Sequence, residues 1–128
     1  MNKISLPFTI MPDLLLTFPG IKGLMIFDGE ALLLQYHKRS PISWAIKSEI
    51  IERKIDLRDI EEVNFKKSIF GNTLTIRVLD GNATNGIPNQ RLGEVTLLIE
   101  KKHLELALDF VSSVRLEVAD QKLRSMEY

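Results

Sequence analysis

The chain has 128 residues, of which 45% are apolar and 27% are charged, a composition typical of one soluble globular domain with a single core. Its 17 basic and 17 acidic residues cancel, whereas a dedicated nucleic-acid binder needs a basic excess to neutralise phosphates. The sequence has no cysteine, which excludes disulfides and thiolate metal sites. We therefore expect no nucleic-acid partner.

The apolar N-terminal region does not have the pattern of a membrane span. Residues 6–24 are interrupted by three prolines and two charged residues, whereas a transmembrane helix needs about 20 predominantly apolar residues. No uninterrupted apolar run with a small-residue cleavage site follows Lys3, so no cleaved signal peptide is expected. We predict a cytoplasmic protein that is complete as given and has no transmembrane segment.

Residues 1–12 carry apolar side chains at alternate positions, namely Ile4, Leu6, Phe8 and Ile10. This spacing is typical of a β-strand, and Pro7 would confine such a strand to a sheet edge because proline cannot donate a ladder hydrogen bond. We interpret the segment as an N-terminal arm. It can pack over its own domain or pair with a second copy of the chain, and the sequence leaves both arrangements open.

Three strands are predicted next, of which the last two form a hairpin. Residues 13–18 form a short buried strand, and residues 24–27 lead through Asp28-Gly29, a strong hairpin signal, into a strand over 31–37. The strand over 31–37 is apolar on both faces and needs cover on both. The arm, the last helix or a partner subunit must supply the second layer.

The connector that follows contains the only tryptophan. Its isoleucines and Trp44 alternate as in a strand over 42–46, but the isoleucines at 42, 46 and 50 also have helical spacing, so strand and helix both remain open. Trp44 fits a residue that covers one end of a core. If exposed, it would serve as an interface anchor.

An antiparallel meander over residues 52–81 organises the chain. Residues 51–57, 60–67 and 73–78 alternate apolar and polar side chains, which places one face on a core and one in water. The predicted reversals are Arg58-Asp59 and Gly71-Asn72. A polar loop over 80–91 and a last strand over 92–100 follow.

From Lys101 the apolar period changes from two residues to three and four, which predicts an amphipathic helix. Its inward face is predicted to contain Leu104, Leu108, Val111, Val114 and Val118. A helix over 101–125 would be about 37 Å long, more than a small sheet can cover. We therefore expect its polar final turns to project into solvent.

No arrangement typical of an active site is present in the sequence. The only histidines, His37 and His103, lie in no catalytic motif, and no Gly-rich phosphate loop occurs. The loop from Asp80 is similar to a calcium loop, but its twelfth position is Arg91, where a bidentate Glu is required. We predict that the chain is not an enzyme and holds no cofactor.

The lysine pairs Lys66-Lys67 and Lys101-Lys102 could meet as a basic patch. Lysines at strand ends are also common as solvated residues that discourage aggregation, and the sequence does not decide between these interpretations. Any contact with an anion is predicted at Lys22, Lys66 and Lys67.

Seven strands counted from Asp13, followed by one long helix, resemble the pleckstrin-homology-like (PH-like) superfold, particularly the GRAM and small bacterial PH-like domains. The similarity lies in DLLLTFPGIKGLMIFDGEALLLQ, KIDLRDIEEVNFKKSIFGNTLTIRVLDG and GEVTLLIEKKHLELALDFVSSV. It implies a mainly β fold, a bent, partly open antiparallel barrel of seven strands in two near-orthogonal sheets capped by a long C-terminal helix. The predicted divisions are an arm over 1–12, a PH-like domain over 13–118 and a helix extension over 119–128.

The resemblance does not by itself fix a function, because this fold hosts lipid, peptide and protein binding. Phosphoinositide-binding members carry several basic residues around the first hairpin, whereas this chain has only Lys22 there. Bacterial PH-like groups tend to self-associate. We therefore expect a non-catalytic module that binds a protein partner, a second copy of itself or both, with anionic membrane contact as the alternative. The residues predicted for self-association are Leu6, Phe8, Ile10 and Trp44.

Overall fold

The computed structural model describes residues 3–10, 21–37, 50–69, 71–84, 87 and 93–126. Within them the chain is mainly β, with seven strands and one long helix. The strands are β1 (Ile4–Ile10), β2 (Ile21–Phe27), β3 (Ala31–His37), β4 (Ile50–Asp56), β5 (Ile60–Lys66), β6 (Asn72–Val78) and β7 (Glu94–Ile99), and the helix is α1 (Leu104–Ser125). The strand predicted over 13–18 and the connector over 38–49 lie outside the described residues.

All paired strands are antiparallel, and hydrogen bonds link the seven into a single sheet in the order β4-β3-β2-β1-β7-β6-β5. The strands β4 and β5 are neighbours along the chain but form the two edges of the sheet, so the sheet is not closed. The prediction of a mainly β, partly open barrel of antiparallel strands with a C-terminal helix is confirmed.

The N-terminal segment supplies a strand of this sheet. β1 pairs with β2 along its whole length, whereas its pairing with β7, among the residues that the structure describes, is at Thr9 and Ile10. Pro7 pairs with Leu24 of β2 and lies outside the part of β1 that pairs with β7. The missing N–H of proline therefore removes no bond to β7. The sequence left open whether this segment packs on its own domain or pairs with a second copy of the chain. In the structure, β1 pairs with strands of its own chain.

The β2–β3 hairpin reverses at Asp28-Gly29, as its sequence predicts. Gly29 has a φ of 95°, a conformation that glycine adopts without steric cost. Oδ1 of Asp28 accepts hydrogen bonds from the backbone N–H groups of Glu30 and Ala31, both at 2.9 Å. These two bonds hold the pKa of the Asp28 carboxyl below its ordinary value.

A close contact between β1, β2 and β3 requires glycine at position 23. A Cβ placed on Gly23 would collide with the backbone carbonyl oxygen of Gln35 and would lie 2.6 Å from Cζ of Phe8. Because the Gln35 atom belongs to the backbone, it cannot move away as a flexible side chain would. Because Gly23 has no side chain, the buried Phe8 ring can pack directly against the backbone of β2.

The inward side chains of the sheet and one face of α1 form the core. The helix packs against β5, β1 and the 3₁₀ turn Leu57–Asp59. Its ring at Phe110 meets Phe27 of β2 edge to face, with 6.4 Å between the ring centroids. The buried residues of α1 are Ala107, Phe110, Val111, Val114 and Val118.

The buried face of α1 differs in part from the predicted one. The three predicted valines are buried, but Leu108 is 47% exposed and Leu104 is only half-buried. Ala107 and Phe110 take their places. The small side chain of Ala107 permits a close approach of the helix, and the Phe110 ring fills the space against Phe27, which sets the rotation of α1 about its axis.

Candidate functional site

Three of the four residues predicted for self-association are not on the surface. Leu6, Phe8 and Ile10 are at most 3% exposed and pack in the core of their own chain. Their alternation marks the inward face of β1. Burial in the core of the same chain accounts for this apolar pattern, and no second copy is needed to explain it. Trp44 lies outside the described residues. A binding surface has to be sought elsewhere on the molecule.

The lysines predicted to contact an anion do not form one cluster. Lys22 of β2 and Lys66 of β5 share a cross-strand row that runs through Thr9, Leu98 and Thr73. Four steps between strands separate them, or about 19 Å along the sheet at the usual strand spacing. A single phosphate cannot bridge that distance.

Lys67 and Lys101, in contrast, line one cavity of about 500 Å³ between the β5–β6 turn and the start of α1. The side chain of Ile69 lines the same cavity and is 83% exposed. Nζ of Lys102 lies 3.3 Å from a carboxylate oxygen of Glu100 instead. The two lysine pairs therefore meet through one member of each pair, beside an exposed apolar side chain.

The edge of the sheet at β5 is covered by basic side chains of α1. Nε of Arg115 donates a hydrogen bond to the carbonyl oxygen of Val63 at 2.7 Å, and Nη2 donates to Oδ1 of Asn64 at 3.0 Å. Nζ of Lys122 donates to the carbonyl oxygen of Glu61 at 2.9 Å. Unpaired carbonyl groups on an edge strand would otherwise attract another strand. The cavity of about 310 Å³ between β5 and α1 is thus bordered by a protected edge.

The opposite edge, at β4, is protected by charge. Arg53 lies on the side of β4 that faces inward, opposite Leu34 of β3, and an inward-pointing charge on an edge strand disfavours pairing with other strands. The neighbouring Glu52 and Lys54 are exposed. Burial raises the pKa of the Tyr36 hydroxyl, and the nearby Arg53 guanidinium offsets part of this effect.

A second apolar stripe lies on the side of α1 that faces away from the core. It consists of Leu116, Ala119, Leu123 and Met126, all of them exposed, and we call it the outward stripe. Leu116 and Met126 are each 70% exposed, and Leu123 is 63% exposed. At 3.6 residues per turn, the centre of the stripe lies about 140° around the helix from the centre of the buried face.

Charged residues of opposite sign flank the outward stripe. Arg115 and Lys122 lie along the flank nearer to β5, as their hydrogen bonds to that strand show. Asp120 lies along the other flank, where its Oδ2 is 2.7 Å from a guanidinium nitrogen of Arg124, one turn further along. The stripe is therefore an apolar seam with a basic side and an acidic side.

The sequence contains a signal for the outward stripe, which the prediction of the inward face of α1 overlooked. After Leu116 the apolar residues recur at intervals of three and four, in a phase different from that of the buried valines. The expectation of purely polar final turns overlooks this second phase, and the prediction that Leu108 is buried is wrong. Only the packing of Phe110 shows which phase belongs to the core.

Among the described residues, the two histidines lie in different surroundings. His37 lines a cavity of about 300 Å³ in which Lys22 and Tyr36 are the other titratable groups. Nδ1 of His103 is buried and has no hydrogen-bond partner among the described residues. The described part of the chain contains no group of three or more His, Asp or Glu residues that could hold a metal ion.

Comparison with protein-family models and with curated proteins gives no match for this chain. No helix among the described residues is both long and apolar enough to cross a membrane. A function must therefore be inferred from the surfaces described above, of which the outward stripe exposes the longest row of apolar side chains on a single element.

Proposed function

We propose that the chain is a cytoplasmic, non-catalytic interaction module of PH-like fold that binds protein through the outward stripe of α1. Seven antiparallel strands in one open sheet, with β1 between β2 and β7 and a helix after the last strand, support the PH-like assignment. The fold alone supports no particular ligand, so the function is inferred from the stripe.

The observation that carries the proposal is the exposure of Leu116, Leu123 and Met126 in one row. Singly exposed apolar residues are common on protein surfaces, but a contiguous apolar patch marks an interaction site. The opposite face of α1 already packs in the core, so folding does not require the stripe. A helix that presents apolar residues at intervals of three and four can bind in a groove or against another helix.

The proposal is tested by affinity capture from a cell lysate. Wild type and two variants of the chain are immobilised separately, and the proteins that each one binds are identified by mass spectrometry. Wild type is compared with the double variant Leu116→Glu/Leu123→Glu and with Leu106→Glu. Leu106 is a matched control because it is exposed on α1 but lies outside the stripe. We expect proteins that bind wild type and Leu106→Glu but not the double variant. Identical capture by all three would contradict a role for the stripe.

A second candidate function is peripheral docking on an anionic membrane surface, favoured by the cavity that Lys67, Lys101 and Ile69 share. Cations that flank an exposed apolar side chain combine electrostatic attraction to anionic lipid with shallow apolar insertion. Lys22 and Lys66 are too far apart to act as one headgroup site, so the cavity is the better-defined contact.

Vesicle sedimentation separates this candidate from the first. Vesicles of phosphatidylcholine, with and without phosphatidylserine, are mixed with wild type, Lys67→Glu/Lys101→Glu and Lys3→Glu at low and high salt. Lys3 is an exposed lysine that does not line the cavity. Binding that requires phosphatidylserine, weakens with salt and is lost only in the double variant would support membrane docking. Absence of binding at low salt would exclude it.

A further inference from the structure

The outward stripe has the spacing of a coiled-coil seam. From Leu116 to Met126 its members are separated by three, four and three residues, which are the intervals between the a and d positions of a heptad repeat. In this frame Leu116 and Leu123 occupy a positions, and Ala119 and Met126 occupy d positions. The preceding a position is Asp109, whose charge ends the seam on its N-terminal side.

The flanking charges select one orientation for a pair of such helices. Arg115 and Lys122 occupy g positions and Asp120 an e position, the sites from which charges reach across a seam. In a parallel pair, Arg115 faces Asp120 of the second copy, five residues further along, and the opposite charges attract. In an antiparallel pair the two-fold axis places like flanks together, so that Arg115 and Lys122 of both copies repel.

We infer that α1 pairs in parallel with α1 of a second copy of the chain, with the outward stripe at the contact. The inference rests on the proposed function and names the partner that the stripe accepts. Because the buried face of α1 lies about 140° from the stripe, the two sheets lie on the outer sides of the helix pair and do not obstruct it. The pairing brings the apolar seams together and places Arg115 of each copy near Asp120 of the other, while Arg115 keeps its hydrogen bonds to β5 and Asp120 its ion pair with Arg124.

The pairing is reversible and depends on concentration. The seam spans two heptads, and three large side chains per copy bury less than the roughly 800 Å² per partner of a standard stable interface. Exposed ion pairs contribute little to the free energy of association, so the charges set the orientation more than the affinity. The dimer should therefore form in the micromolar to millimolar range and weaken in salt.

Disulfide trapping tests both the pairing and its direction, because the chain has no cysteine of its own. Ser112→Cys and Met126→Cys place a thiol at the first and last d positions, and Leu106→Cys serves as a control off the seam. A parallel pair brings each thiol opposite its own copy, so Ser112→Cys and Met126→Cys should each form disulfide dimers under mild oxidation. Leu106→Cys should remain monomeric.

Two outcomes would overturn the inference. Crosslinking of Met126→Cys only in a mixture with Leu116→Cys, the residue opposite it when the two stripes run head to tail, would show an antiparallel pair. Trapping of neither variant above the Leu106→Cys level would show that the stripe does not bind a second copy, and affinity capture would then still decide the proposed function. Circular dichroism spectra that match wild type would exclude misfolding of these exposed variants.

Sedimentation velocity over a concentration series adds a readout of the charge pairing. Asp120→Lys places like charges opposite Arg115 and should weaken dimerisation by about threefold to tenfold, given the usual strength of exposed ion pairs. Glu117→Lys makes the same change of charge at a b position and should leave dimerisation unchanged. Equal weakening by both variants, or wild type that stays monomeric up to millimolar concentration, contradicts the inference.

Discussion

The helix α1 has two apolar faces with opposite surroundings. The buried face carries β-branched, small or aromatic side chains that pack against the sheet, with Phe110 against Phe27. The outward stripe carries the longer, more flexible Leu116, Leu123 and Met126, which meet solvent. Apolar periodicity thus identifies helical faces but does not say which one folds the chain and which one is left for a partner. Five predictions on substitution or pH test this contrast.

The largest difference between the two faces should appear on truncation to alanine. Phe110→Ala removes a fully buried ring and leaves a cavity, which typically lowers the free energy of unfolding by about 3–5 kcal/mol. Leu116→Ala removes an exposed side chain and should change it by no more than about 0.5 kcal/mol. Urea titration of both variants measures the contrast. Similar values for the two would remove the distinction between the faces.

The second effect concerns the addition of atoms rather than their removal. Gly23→Ala adds a single methyl group that collides with the backbone at Gln35, so we expect a loss of about 2–3 kcal/mol from overpacking. On the outward stripe, by contrast, a whole carboxylate can be added without steric conflict. If Gly23→Ala unfolds at the wild-type melting temperature, the space around Gly23 is wide enough for a methyl group, and the predicted collision with Gln35 is wrong.

The boundary between the two faces should show an intermediate effect. Arg115 lies beside the stripe but covers the edge of β5, and its hydrogen bonds to Val63 and Asn64 involve a charged donor. Arg115→Ala should therefore cost about 1–2 kcal/mol and also increase aggregation, since the edge strand becomes accessible. Arg115→Lys keeps the charge but lacks the planar fork, so only partial recovery is expected in urea titration and light scattering.

A smaller effect, dependent on pH, is expected at the hairpin turn, where the half-buried Asp28 stabilises the fold. The Asp28 carboxyl has a lowered pKa in the folded state, because the backbone N–H groups of Glu30 and Ala31 bind its charged form. Its stabilisation is fully present above the ordinary pKa of an aspartate and is lost as the pH falls through the lower folded value.

The control for this effect is Asp28→Ala, which removes the acceptor and should lower the free energy of unfolding by about 0.5–1.5 kcal/mol at neutral pH. The difference between wild type and Asp28→Ala should shrink as the solution is acidified. A difference that stays constant with pH would show that the carboxylate charge does not stabilise the turn.

Most of the fold could be predicted from local patterns in the sequence. The alternation within strands, the Asp28-Gly29 reversal and the change of period near Lys101 each depend on neighbouring residues, and the structure has strands, a hairpin and a helix at these places. The helix begins at Leu104 after a 3₁₀ turn over Lys101–His103. Such features are readable because side-chain spacing alone determines which face a residue occupies.

Features that depend on distant parts of the chain could not be predicted. Pro7 suggested an edge strand, but a short overlap between β1 and β7 permits proline within the sheet. The hydrogen bond from Arg115 to Val63 joins residues 52 positions apart, and no local pattern marks it. The rotation of α1, which separates core from stripe, depends on Phe110 meeting Phe27 across the domain.

The smallest expected change in stability gives the most direct test of the two-faced helix. The double variant Leu116→Glu/Leu123→Glu is measured by urea unfolding and, in the same samples, by sedimentation velocity. We predict that its free energy of unfolding stays within about 0.5 kcal/mol of wild type, as for exposed positions away from special features, while association is abolished. A loss of several kcal/mol would show that the outward stripe belongs to the core, and unchanged association would show that no partner binds there.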